Sequence, residues 1–105
     1  MVLFRRSLGD VLRGARMQRG MTLRALSAQA RVSLGYISEI ERGQKEASSE
    51  LLASLCMAMD LPLSDVLREV SDAVAIEERA LLHSVDATPI AAARPAPGDV
   101  VASAA

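Results

Sequence analysis

Residues Thr22–Gly43 read TLRALSAQARVSLGYISEIERG, and their order decides the fold. Thr22 is a helix N-cap residue, and the Leu23, Leu26, Ser27 and Ala30 that follow it at helical spacing form one inward stripe. Ser33 repeats the capping signal, Ile37 and Ile40 anchor a second short helix, and Gly43 can close it in the left-handed conformation. Between the two, Ala30-Arg31-Val32 leaves room only for a tight corner. Two short helices meeting at such a corner make a helix-turn-helix. Small Ser27 and Ala30 sit where the helices must approach, and Val32, Ile37 and Ile40 pin the second onto the first.

Working outward, capping residues and apolar spacing divide residues 7–70 into five helices. Ser7 is placed as the cap of the first, with Asp10 as its capping-box partner. Leu8, Val11, Leu12 and Ala15 form its inward face, and Gly20 its end. Ser48 or Ser49 caps the fourth, with Leu52, Leu55, Cys56 and Met59 as its buried row. Asp60-Leu61-Pro62-Leu63 interrupts the pattern, because proline removes a backbone donor. Ser64 then caps a fifth helix through Val66, Leu67 and Val70. The spacing continues over 71–85 through Val74, Ile76, Leu81 and Leu82, either as a further helix or as an extension of the fifth. From 86 to 105 the chain is Ala-rich with three prolines and no helical period, the composition of a disordered tail.

A chain of 105 residues supports one core. Its two aromatics, Phe4 and Tyr36, leave that core aliphatic, which suits an all-α bundle. The formal net charge of −1 conceals an asymmetry. Residues 1–47 hold nine Lys and Arg against four Asp and Glu, whereas residues 48–105 hold three against nine. A polyanion is drawn to the first half and repelled by the second.

No apolar run is long enough to span a membrane, and the N-terminus lacks a secretory signal. The single Cys56 permits no internal disulfide and fits a reducing cytoplasm. On its apolar helical face it reads as a structural thiol rather than a redox sensor. His83 has no ligand partner at useful spacing, so no metal site is read. No nucleophile–base set, phosphate loop or carboxylate pair appears, so neither enzymatic activity nor a cofactor is expected.

The chemistry of the helix-turn-helix points to DNA. Gly35, Glu39 and Arg42 share one face of the second helix, flanked by Tyr36 and Ser38. Gly35 admits close approach to base edges, Glu39 can accept from cytosine N4, Ser38 can bond several bases, and Tyr36 can pack on a thymine methyl or bond a phosphate. Helix starts at Thr22 and Ser33 offer backbone N–H groups to phosphates, and Arg31, Arg42 and Lys45 supply cations along the rim. Each has a plainer alternative: Tyr36 packs on a neighbour, Gly35 is neutral near a helix start, and phosphates repel Glu39 unless a cytosine receives it.

At these residues the chain resembles the Xre/lambdoid-repressor family across 7–70, notably in VSLGYISEIERGQKEASSELLASLCMAMDLPLSDVL with its Glu-Arg-Gly closure. The resemblance implies a five-helix lambda-repressor-like bundle that binds palindromic operators as a homodimer. It puts base reading on Leu34, Gly35, Tyr36 and Glu39, phosphate contacts near Thr22, Ser33, Arg42 and Lys45, and a structural ion pair on Arg16 and Glu41. Within the family, GDVLRGARMQRGMTLRALS followed by RVSLGYISEIERGQKEASSELL is similar to actinobacterial Clp-protease gene regulators. That narrower likeness implies an activator of proteolysis and stress genes, and hence RNA polymerase as a partner.

Two positions depart from the family. The corner residue, often glycine there, is Arg31, and Ala47 replaces a common proline. Segment 71–85 either covers one end of the bundle or, through Val74, Ile76, Leu81 and Leu82, makes the dimer contact that two half-sites require. Ala104 and Ala105 end an apolar terminus that reads either as a plain tail or as a degradation tag for a Clp protease. An antitoxin-like or adaptor module on the same fold is the competing reading.

Overall fold

The computed structural model describes residues 4–86, and among them every regular element is a helix. These are α1 (Phe4–Gln18), α2 (Leu23–Ala30), α3 (Leu34–Glu41), α4 (Ser49–Ala58) and α5 (Leu63–Asp86). The expected degradation tag at Ala104 and Ala105, and the tail beyond Asp86, lie outside the described residues. No helix among those described is long and apolar enough to cross a membrane.

The capping logic places α2, α3 and α4. The side chains of Thr22, Ser33 and Ser48 accept hydrogen bonds from the backbone N–H groups of Ala25, Tyr36 and Leu51, each satisfying one donor that the first turn leaves free. Between the two candidates for α4, Ser48 is the cap.

Each of the first four helices ends on a left-handed residue: Gly20 (φ 64°), Arg31 (φ 58°), Gly43 (φ 74°) and Asp60 (φ 52°). At Gly43 the C-terminal bonds are Gly43 N to Ile40 O at 3.0 Å and Gln44 N to Glu39 O at 2.8 Å, a Schellman closure. Gly20 and Asp60 close α1 and α4 with the same pair of bonds.

Two expectations are corrected. Ser7 does not cap α1, which already runs from Phe4 and holds Ser7 buried in its interior. The added turn is tied down by tertiary contacts, since Arg5 Nε donates to the Gly43 carbonyl at 3.0 Å. Ser64 likewise falls within α5, whose first N–H bonds run from Asp65 and Val66 to the carbonyl of Pro62, the residue before the helix; proline, with its locked φ and no N–H to satisfy, is tolerated at a helix start. Leu67 lies on the fifth helix, as expected, and is 45% exposed.

Segment 71–85 is an extension of the fifth helix, so the boundary expected at residue 70 falls inside α5. Asp86, expected to open the tail, is that helix's last residue.

The described residues fall into two compact units, one up to Val74 and one from Ala75. In the first, α1 and α2 pack against α3, and α2 against α4. Its core is Leu8, Leu12 and Ala15 of α1, Leu26 of α2, Ile37 and Ile40 of α3, the row Leu52, Leu55, Cys56 and Met59, and Val66 and Val70 of α5. Each large aliphatic side chain so buried stabilises the bundle by about 1.5–3 kcal/mol relative to exposure. In the second unit Ile76 and Leu82 are 63% and 60% exposed, and Leu81 is exposed as well.

Candidate nucleic-acid interface

The α2–α3 corner is stitched by one residue. The Ser27 hydroxyl donates to the Val32 carbonyl while the Ser27 carbonyl accepts from Val32 N at 3.3 Å. Arg31 therefore adopts the left-handed conformation (φ 58°, ψ 45°), its N–H bonded to the Ser27 carbonyl. The corner keeps the geometry glycine would allow and carries the cost, about 1–2 kcal/mol for a residue with a Cβ. Arg31→Gly is expected to raise stability by about 1 kcal/mol, less whatever glycine's extra freedom in the unfolded chain removes. Thermal unfolding reads this out, and a lowered midpoint contradicts the strain.

The corner turns Ile37 and Ile40 inward, each 1% exposed, and leaves the opposite side of α3 at the surface. Gly35 and Leu34 are exposed there, and a Cβ added at Gly35 meets nothing within 4 Å. Glu39 is half-buried on the same face. Because the N-cap hydroxyls at Thr22 and Ser33 engage the third helical residue, the first two N–H groups of α2 and α3 face outward without an intrahelical acceptor, as an anion requires.

Two flanking side chains are committed within the protein. The Tyr36 hydroxyl donates to the Glu46 carbonyl at 3.2 Å, and the Lys45 ammonium lies 5.8 Å from the Tyr36 ring centroid. These contacts favour the packing reading of Tyr36 and tie the loop after α3 to the face. The Ser38 hydroxyl accepts from Arg42 Nη1 at 2.6 Å, and Arg42 also reaches Gln44 Oε1. Ser38 thus orients the Arg42 cation. Arg31 and Thr22 are exposed, as are Ser33 and Lys45.

Behind the face, Arg16 and Glu41 form a two-pronged pair, Nε to Oε2 at 2.8 Å and Nη2 to Oε1 at 3.0 Å. Arg16 Nη1 also donates to the Met21 carbonyl at 2.8 Å. The hydrogen bonds to Glu41 raise the Arg16 guanidinium further above its ordinary value, outweighing burial, which acts to lower it. The stability so contributed is fully present below the ordinary guanidinium value and is lost only as pH rises through the raised one.

Gly9, to which the sequence pattern draws no attention, proves decisive for placing α3. A Cβ there would lie 2.7 Å from the Glu41 carbonyl oxygen and also collide with that of Ile40, so only glycine lets α1 approach the end of α3 this closely. Its one legible signal is a glycine inside an apolar helical stripe. Cys56 is buried, and burial pushes its thiol up, away from the reactive thiolate.

Comparison with known proteins agrees with this geometry. Residues 12–66 match the model of a family described as helix-turn-helix. The transcriptional regulator ClgR of Mycobacterium tuberculosis (strain H37Rv) is 61% identical over 77 residues, which cover 73% of this chain and 69% of that protein. The crystal structure of the clp gene regulator ClgR from Corynebacterium glutamicum superposes with a TM-score of 0.72 at 45% identity, over 81% of this chain and 93% of that one. The restriction-modification controller protein C.AhdI from Aeromonas hydrophila superposes with a TM-score of 0.56 at 26% identity, over 63% of this chain and 94% of that one.

Proposed function

Since the chain belongs to the helix-turn-helix family of transcriptional regulators and is a relative of ClgR, we propose that it binds a palindromic operator as a homodimer and activates Clp protease and other proteolysis genes. The observation that carries the DNA reading is the outward face of α3, open at Gly35 and backed by the Arg16–Glu41 pair. The gene target follows from likeness to a protein described as a clp gene regulator.

In this reading Leu34, Gly35, Ser38 and Glu39 meet base edges, while Tyr36, its hydroxyl bonded to the Glu46 carbonyl, flanks them. Thr22 and Ser33, through the N–H groups they flank, and Arg31, Arg42 and Lys45, through their charge, hold phosphates. Val74, Ile76, Leu81 and Leu82 make the dimer contact; Ile76, Leu81 and Leu82 are exposed, and large exposed apolar side chains gain by mutual burial.

Selection of bound sites from random DNA tests operator and symmetry together. An inverted repeat is expected, and recovery of a single undivided site would oppose the dimer. The assigned roles separate by substitution: Glu39→Ala should change which base is preferred at one position, whereas Lys45→Ala should weaken binding on all sequences alike and lower the salt slope by about 0.9. Equal losses on every DNA from both would overturn the assignment.

A further inference from the structure

An open cleft of about 600 Å³ adjoins the α3 face, lined by Arg6, Asp10, Arg13 and Arg16 of α1, by Ser38 of α3 and by Arg42, which caps α3. Arg6, Asp10 and Arg13 stand at i, i+4 and i+7 and so share one side of α1; all three are exposed. Among the described residues the ion pairs are Arg5–Glu46, Arg16–Glu41 and Arg68–Asp65. Arg6 and Arg13 therefore hold their cations in the cleft without a carboxylate partner there. The charge of Glu41 is spent on Arg16, and the Arg42 guanidinium is steadied by neutral Ser38 and Gln44. The excess is cationic, and it is continuous with the proposed DNA face through Arg42.

We infer that this cleft seats a backbone phosphate of the DNA beside the recognition helix, gripped by Arg13 and Arg6 of α1 together with Arg42 at the end of α3. The inference rests on the DNA-binding reading above and adds α1 to the contact surface. The phosphate is held by charge and carries no base information, so the contact strengthens specific and nonspecific binding alike. Asp10, the one unpaired carboxylate in the cleft, weakens that grip.

The test is DNA affinity of the full chain as a function of salt, on the selected operator and on random duplex, for Arg13→Gln and Asp10→Asn, with Lys45→Ala alongside. Both cleft positions are exposed, and unchanged thermal unfolding verifies that the variants fold. Losing one phosphate contact should reduce the slope of log affinity against log salt by about 0.9 for Arg13→Gln, equally on both DNAs. Asp10→Asn should tighten binding on both. Single methylphosphonate substitutions should reveal one phosphate whose neutralisation weakens the parent protein but not Arg13→Gln.

A normal slope in Arg13→Gln with a reduced one in Lys45→Ala overturns the cleft and leaves the proposed function standing. Absence of salt-dependent binding by the parent protein overturns both. Inorganic phosphate that shifts cleft amide resonances in the parent but not in Arg13→Gln, with the DNA slope unaltered, assigns the cleft to a free anion and also overturns the inference.

Discussion

Replacing Glu41 by alanine is expected to cost about 3–5 kcal/mol of folding free energy, the penalty for stranding one member of a buried pair. The side chains of Arg16 and Glu41 are only 12% and 5% exposed, so water cannot re-solvate the orphaned guanidinium well. Its remaining bond to the Met21 carbonyl compensates partly. Against the roughly 5–15 kcal/mol that a domain of this kind commands, such a loss populates the unfolded state measurably. The pair also ties the end of α3 to α1, so DNA affinity should fall even where the bundle stays folded. Arg16→Met combined with Glu41→Leu should restore most of the stability, since removing both charges leaves nothing unpaired. Urea unfolding of the two single variants and the double one measures this. A single-variant cost below about 1 kcal/mol would place the pair among screened surface contacts.

The second large effect concerns one methyl group. Gly9→Ala is expected to destabilise by about 1–3 kcal/mol despite alanine's advantage of about 1 kcal/mol as a helix former. The new Cβ would press on the carbonyls of Ile40 and Glu41, and these are backbone atoms, which cannot rotate aside as a side chain end can. Relief requires moving α1 off α3, which tilts the proposed reading face, so operator affinity should drop more than stability alone explains. Gly14→Ala is the control, because it lies in the same helix with nothing within 4 Å of its added Cβ. It should stabilise by up to about 1 kcal/mol. Thermal unfolding of both variants checks the pair, and the same sign at both positions would contradict the described packing of α1 on α3.

The position of the helix-turn-helix was legible because its signals are local. Thr22, Ser33 and Ser48 each bond to an N–H three residues on, and Gly20 and Gly43 take the left-handed angles their ends demand. Such interactions need no knowledge of the rest of the chain. Where the same logic erred, at Ser7 and Ser64, the helix was extended by something distant or conformational: the Arg5 bond to Gly43, and the fixed geometry of Pro62.

Sequence alone thus determined that the chain is a helical bundle, where its corner lies, and which short helix shows an open side, all through periodicity and capping within a few residues. Tertiary structure decided what spacing along one helix cannot express. It tied Tyr36 to Glu46, made Gly9 the contact point of α1 with α3, and gathered Arg6 and Arg13 beside Arg42. Those relations join residues about ten to thirty-six positions apart, and only the tertiary packing of the chain brings such groups within reach.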